Sequence, residues 1–295
     1  MDILNDANPD DLYWTLKQFV YRRKSIVKSL TTTKLQLHEQ LVKNYTSYKD
    51  FFAEIEGKTA LAFWEEYPSP SKLKNITAIE LKEFLLKASN NSCSTKKAES
   101  ILALIEGDGD TFREYQEYRD ELVKGYVRFI RFCKEETEKL ECHMKKIISK
   151  LEYKLETLTG VGIVTASEII AEIGDISRFK SADKLAKYAG VAPTNFSSAG
   201  KGRDFKSKQG NRRLNCALFL LATQQVHITK VTKRPRNPIL YEYYLRKISE
   251  GKTKTQALIC ILRRLINIIF GMMKNKTAYV MEQKTDKFSN LKVVV

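Results

Sequence analysis

Two adjacent serines, Ser197 and Ser198, lie in a run of small residues and cations, NFSSAGKGRDFKSKQGNRRL, that contains no histidine. A serine in such a setting is suited to attack a phosphodiester, provided that cations offset the charge developing on the phosphate. Lys201, Arg203, Lys206, Lys208, Arg212 and Arg213 follow closely, and arginine in particular grips phosphate with two parallel donors. A covalent phosphoserine would conserve the energy of the broken bond, so strand exchange there needs no nucleotide cofactor. A phosphate-binding loop without chemistry is the alternative. Pro193 and the run 197–211 predict a loop, followed by a buried helix over Leu214–Ala222.

Two further segments carry phosphate-binding chemistry. In LTGVGIVTASEII, residues 158–170, Gly160-Val161-Gly162 predicts a tight turn with a helix from about Val164. This has the form of a helix-hairpin-helix element. Gly160 and Gly162 admit positive φ and let backbone N–H groups approach a phosphate at a helix start; such contacts read the backbone and not the bases. Close helix packing is the competing use of those glycines. In ITKVTKRPRNP, residues 228–238, Lys233, Arg234 and Arg236 flank Pro235, which keeps them off a helix. Tyr241, Tyr243 and Tyr244 have the chemistry to stack on bases, but at their spacing they read as core.

The chain has 295 residues, 43% hydrophobic and 29% charged, with a net charge of +16. That composition is globular. Residues 1–150 hold 25 basic and 24 acidic side chains, and residues 151–295 hold 26 and 11. Nearly all the excess charge is therefore in the second half, which points to a polyanion partner. Cys93, Cys133, Cys142, Cys216 and Cys260 form no CxxC pair, and His38, His143 and His227 are scattered. They read as reduced thiols and isolated imidazoles, not as a disulfide frame or metal centre. With no unbroken run of about 18 apolar residues and an acidic start without an apolar stretch, the expectation is a cytoplasmic protein without membrane contact.

The elements that must position these residues read as mainly α. Over 10–45, Leu12, Phe19 and Ile26 repeat at sevens, as do Leu16, Leu30 and Leu37 with Arg23 interrupting, which predicts a coiled-coil helix weakened at Thr31–Thr33. A second long helix is expected over 112–158, with a stripe of Leu122, Tyr126, Phe129, Cys133, Leu140, Met144, Ile147, Leu151, Leu155 and Leu158. The two helices would pair antiparallel in one chain, or between protomers of a dimer or tetramer. Between them, about 50–110, lies a helical insert: a break at Tyr67–Pro70, a short helix at Ser71–Leu73, a capped helix from Thr77 with Glu80, and another from Ser94 to the glycines at 107 and 109. Residues 256–273 read as an apolar core helix. The expected domains are a coiled-coil scaffold with its insert at 1–157, a compact helical DNA-binding domain at 158–280, and a tail at 281–295.

The second half resembles the transposase domain of the bacterial insertion-sequence family numbered 110/116/902. The carrying text is L-x-G-V-G-x-x-T-A (158–166), E-I-G-D-I-S-R-F (172–179), Y-A-G-V-A-P (188–193), S-S-x-G (197–200), G-N-R-R-L (210–214), N-P-I-L-Y-E-Y-Y (237–244) and G-K-T-K-T-Q-A-L (251–258). Tyr67–Pro70 and Lys96–Ile105 resemble the family's middle region. The resemblance implies a DNA recombinase, nucleoid-associated, whose nucleophilic serine matches Ser198, with Ser197 as the fallback. Ala199 stands where a glycine is usual. It also implies an N-terminal RuvC-like domain with a DEDD carboxylate set for Mg2+, and, for some members, a structured guide RNA. Asp2, Asp6, Asp10 and Asp11 read instead as a helix-start cluster. The chain therefore reads as N-terminally truncated, with no cofactor of its own and Mg2+ only where that domain is present.

The reading is a transposase portion that binds DNA and exchanges strands through Ser198. The alternative is a non-catalytic nucleic-acid-binding remnant, and a helical interaction protein with incidental charge stands third. The cation clustering makes one prediction directly. If the chain contacts about 6–10 phosphates, its affinity for duplex DNA falls about 10³–10⁵-fold between 50 and 200 mM salt. A gel-shift titration across that range measures it, and a flat response removes both nucleic-acid readings.

Overall fold

The computed structural model of the chain describes residues 12–91, 94–191, 194–198, 201–205 and 209–281, with backbone alone for the two five-residue strands. The order of elements is α1 Leu12–Asn44, α2 Tyr48–Phe51, α3 Lys58–Glu66, α4 Ala78–Ala88, α5 Thr95–Asp108, α6 Gln116–Leu151, α7 Ile163–Ile173, α8 Ala182–Tyr188, β1 Thr194–Ser198, β2 Lys201–Phe205, α9 Arg212–Gln225, α10 Pro238–Ser249 and α11 Lys254–Asn275. The fold is mainly α, as expected. The short helix at 71–73 is a 3-10 turn over Pro70–Leu73, because proline fits only the first turn of a helix.

Two compact units divide the chain: residues 22–140, and residues 1–21 together with 141–295. These divisions fall inside α1 and α6, whereas the sequence division was placed at 157. The reason is burial. Leu16 and Val20 of α1 and Met144, Ile147 and Ile148 of α6 share a core with α7, α9 and α11. Within that unit the start of α1 lies against the end of α6, with Phe19 stacked on His143 at 5.5 Å. Within the other unit the end of α1 meets the start of α6, through Gln116 Nε2 donating to Asn44 Oδ1 at 3.4 Å. The three threonines each donate to a carbonyl four residues back, which leaves α1 unbroken.

The unit of residues 22–140 is built on aromatic rings. Trp64, Phe63, Phe51 and Tyr45 are fully buried and in mutual contact, with Phe63 and Trp64 edge to face at 5.0 Å. The Trp64 indole N–H donates to Ile55 O at 3.0 Å, so burial of the ring leaves its N–H satisfied. The Thr77–Glu80 capping box forms at the start of α4. The stripe expected on α6 needs correction. Its buried face here is Val123, Val127, Ile130 and Cys133. Leu122 and Phe129, assigned to the stripe, lie off that face, 50% and 41% exposed. The sequence carries two apolar rows on this helix, and spacing alone merged them.

In the unit of residues 141–281 and 12–21, α11 closes the core. Its length and apolarity would suffice to cross a membrane, a possibility the search for an uninterrupted apolar run passed over. Ile261, Leu262, Leu265, Ile266, Ile269, Met272 and Met273 are instead buried in the core of this unit. Arg263 and Arg264 interrupt the helix, and Arg263 pairs with Asp183 of α8. A capping box from Thr253 and Gln256 starts it.

The aromatic cluster and the cap make separable predictions. Trp64→Ala lowers unfolding free energy by about 3–5 kcal/mol. Thr77→Ala costs about 1 kcal/mol. Denaturant titrations followed by circular dichroism measure both.

Candidate nucleic-acid interface and nucleophile hairpin

The run 197–211, expected as a loop, contains the end of a β-hairpin. β1 pairs antiparallel with β2 from Thr194↔Phe205 through Asn195↔Asp204, Phe196↔Arg203 and Ser197↔Gly202 to Ser198↔Lys201. Ser-Ser and Lys-Gly did not suggest strands, but Asn-Phe and Arg-Asp-Phe around a small-residue turn can pair. The last pair of the ribbon is Ser198 with Lys201, so both serines stand at its far end. Alternation puts the positions of Phe196, Ser198, Lys201 and Arg203 on one face. Lys206 and Lys208 lie outside the described residues.

The root of this ribbon is fixed by two glycines whose backbones touch. A Cβ on Gly190 would lie 2.6 Å from Gln209 O, and one on Gly210 would lie 2.6 Å from Gly190 N. Both have positive φ, 68° and 120°. Asn211 N donates to Tyr188 O at 2.7 Å and completes the closure. No side chain fits between the two strands of backbone at this point, so the choice of glycine at both positions is forced by space as well as by conformation.

Beneath the root lies a buried carboxylate. Glu172, near the end of α7, is 5% exposed. It accepts from Asn211 Nδ2 at 2.7 Å and from the Tyr21 hydroxyl at 2.9 Å, with Lys17 Nζ at 3.9 Å. The Tyr188 hydroxyl donates to Glu172 O at 3.1 Å and accepts from Asn211 Nδ2 at 3.1 Å. Asn211 Oδ1 in turn caps α9, accepting from Arg213 N and Leu214 N at 3.0 Å. Burial, then the hydrogen bond to Glu172, raise the Tyr21 phenol above its ordinary pKa, with Lys17 pulling the other way. Arg213 lies over the Tyr21 ring at 4.1 Å, while Arg212 is exposed at the start of α9. Sequence reasoning found Asn211 and Glu172 only as letters of a resemblance. It missed Lys17 and Tyr21 altogether, because nothing local to α1 signals a partner some 150 residues away.

A second cluster surrounds the glycine turn. Val161 N donates to Leu158 O at 2.9 Å, Gly160 has φ 81°, and α7 starts after Gly162. The element before the turn is a single 3-10 turn, Leu155–Thr157, and not a full helix. Buried Gln225 donates to Thr159 O and accepts from Asn237 Nδ2 at 3.0 Å. Asn237 caps α10 through Leu240 N at 3.1 Å. The basic segment is a folded turn, with Thr229 N donating to Arg234 O and Arg236 N to His227 O, both at 3.0 Å. It brings Arg236 Nη1 to 3.8 Å from where a Gly160 Cβ would stand. Lys233, Arg234 and Arg236 are all exposed. Half-buried Gly160 thus lies beside exposed Arg236, and Gly162, two residues on, is exposed with open space over it. A phosphate seated there would meet backbone N–H groups and a guanidinium together.

The tyrosines of α10 divide between roles. Tyr243 and Tyr244 pack against the core, and Arg264 covers the Tyr243 ring at 3.8 Å. Among the described residues, no three His, Cys, Asp or Glu side chains gather as a metal site.

The glycines give a paired test. Gly210→Ala lowers unfolding free energy by about 2 kcal/mol or more, through clash and left-handed strain. Gly162→Ala, with φ −90° and an unobstructed Cβ, stays within about 1 kcal/mol. Equal effects of the two in urea titrations would contradict the hairpin root.

Residues 152–239 match the family described as Transposase IS116/IS110/IS902. The chain is 36% identical over 126 residues to an uncharacterized 43.6 kDa protein of insertion element IS110 from Streptomyces coelicolor, covering 42% of this chain and 29% of that protein. It is 24% identical over 284 residues to an uncharacterized 44.8 kDa protein of insertion element IS116 from Streptomyces clavuligerus, covering 92% and 66%. It is 30% identical over 176 residues to a pilin gene-inverting protein of Moraxella lacunata, covering 57% and 52%. The chain thus spans between about a third and two thirds of the length of these relatives. The matched segment runs from the glycine turn through the hairpin and its root to the Asn237 cap, and over it this chain is similar to the transposase IS116/IS110/IS902 family.

Proposed function

We propose that this chain is the strand-exchanging portion of an insertion-sequence transposase, working on DNA as a homo-oligomer, with Ser198 as its nucleophile. The observation that carries the reading is the position of Ser198 at the end of a ribbon whose root is locked at Gly190 and Gly210. A nucleophile must be presented beyond the body of the protein to reach a duplex backbone, and held there with little freedom. Lys201 pairs with it in register, and Arg203 and Arg212 supply further cations nearby in sequence. The relatives' printed names, insertion-element and gene-inverting proteins, fit a reaction that cuts and rejoins DNA.

In the step proposed, the Ser198 oxygen forms a bond to phosphorus and its proton passes to solvent. The bond from phosphorus to one sugar oxygen breaks, and that oxygen takes up a proton. The cations offset the charge on the pentacoordinate phosphate. A sugar hydroxyl of another strand then attacks the phosphoserine and restores the free serine, so the number of phosphodiester bonds is conserved. The Gly160–Arg236 surface holds backbone phosphates at a distance from the cut. A structured RNA is a second polyanion suited to the same surfaces, and a bacterial nucleoid is the setting implied.

The decisive experiment is adduct trapping. Under denaturing electrophoresis, Ser198→Ala abolishes a covalent protein–DNA band while Ser197→Ala retains it, and both variants still shift DNA in a native gel. Shift without any adduct, even in a protein extended to the full length of its relatives, would favour the binding module. Loss with Ser197→Ala alone would move the nucleophile by one residue.

A further inference from the structure

The unit of residues 22–140, which carries neither the serine hairpin nor the glycine turn, holds a cavity of about 450 Å³. It is lined by Ser69, Ser71 and Lys74, by Asp110 and Phe112 of the loop before α6, and by Gln116 at the start of α6. Behind this lining is Asp120, 3% exposed. Its two carboxylate oxygens accept from Ser69 Oγ at 3.0 Å and from Gln116 Nε2 at 2.9 Å.

The hydrogens of the cluster are committed inside the wall. Ser69 has one hydroxyl hydrogen and gives it to Asp120, so in its 2.9 Å contact with Ser71 it accepts. The Gln116 amide donates to Asp120 and also to Asn44 Oδ1 at 3.4 Å. Asn44 is held in that sense because its Nδ2 donates to Pro68 O at 2.8 Å. Gln116 is held too, since a flipped amide would set its oxygen against two acceptors. Thr111 Oγ1 donates to Asn44 O at 2.6 Å, and Phe112 N to Asp110 Oδ1 at 2.9 Å. What remains toward the cavity is mostly acceptors. Among the described residues, Gln116 Oε1 is the one buried side-chain oxygen or nitrogen without a hydrogen-bond partner. A buried acceptor left unmet is costly.

Charge points the same way. Asp110 and Asp120 stand against one ammonium, Lys74, which is exposed. Asp120 has hydrogen bonds but no ion pair among the described residues. A water molecule brings a donor to Gln116 but no charge to Asp120. A bare metal ion lacks the ligands it needs, since no three His, Cys, Asp or Glu side chains gather among the described residues. An organic cation brings both donor and charge. Phe112, 69% exposed on the cavity wall, adds a ring for cation–π contact.

We propose that this cavity binds a small alkylammonium ion, a free amine or polyamine. Its N–H groups donate to Gln116 Oε1 and to Asp110, and its charge offsets that of Asp120. The inference depends neither on the serine chemistry nor on nucleic-acid binding.

Calorimetric titration of spermidine into the nucleic-acid-free 295-residue chain tests it. Saturable binding at one site per chain is expected. Asp110→Asn keeps the oxygen that accepts from Phe112 N and weakens binding about fivefold, the scale of an exposed ion pair. Lys74→Ala strengthens binding by up to about the same factor, whereas an anionic ligand would require the reverse. Gln116→Met, close in volume, weakens binding about tenfold or more. Circular dichroism checks that this variant folds, and the two exposed variants carry the test if it does not. Tetramethylammonium, with the charge but no N–H, gives no saturable heat. Absence of saturable binding would overturn the proposal. So would tetramethylammonium or magnesium binding as tightly as spermidine, or indifference to both Asp110→Asn and Lys74→Ala. Tighter binding of Nα-acetyl-lysine amide than of spermidine would also overturn it, by assigning the cavity to a side chain of a protein partner.

Discussion

Four chain segments that are far apart in sequence meet at one buried carboxylate. Glu172 of α7 receives Asn211 from the start of α9, Tyr21 from α1, and through its backbone oxygen Tyr188 from α8. A buried anion left with fewer partners is costly, so the network resists the loss of any member. Because Asn211 also caps α9 and its backbone bonds to Tyr188, the arrangement sets the spacing at which Gly190 and Gly210 touch. The closure at Gly190 and Gly210 thus rests on hydrogen bonds that join α1, α7, α8 and α9.

The same logic recurs at the glycine turn. Gln225 and Asn237 are side-chain amides, and each satisfies the other while one holds Thr159 O and the other caps α10. Two distant loops, one glycine-rich and one arginine-rich, are thereby fastened together. The positive surface is a product of tertiary hydrogen bonding, not of the basic residues in themselves.

Much of this was legible beforehand, and the remainder fails for identifiable reasons. The capping boxes at Thr77 and the helix starts are local, and local chemistry reads directly from text. The order of short motifs pointed to the same family that residues 152–239 match. Spacing on α6 misled, because two apolar rows share one helix and only burial separates Val123 and Val127 from Leu122 and Phe129. Turn-forming composition around Ser198 suggested irregular chain, since pairing between strands of mixed polarity leaves little periodic signal. The long apolar stretch in α11 was legible as core only because arginines interrupt it. Tyr21 and Lys17 had no signal at all, being recruited by a carboxylate that the sequence places in another region.

The unit that carries the hairpin draws its core from both ends of the chain. Leu16 and Val20 come from its beginning, and Ile261 through Met273 from near its end. The residues between 22 and 140 form their own unit and can fold while synthesis continues. The hairpin unit cannot, because α11 supplies the wall against which α8 and α9 close. A nascent chain therefore exposes the apolar faces of α7 and α9 until α11 leaves the ribosome. Products released before about residue 254 would carry most of the positive charge but no finished core, and quality-control proteases would meet them first. Possession of the basic residues and a finished core are in this way separated in time, the second arriving only with α11.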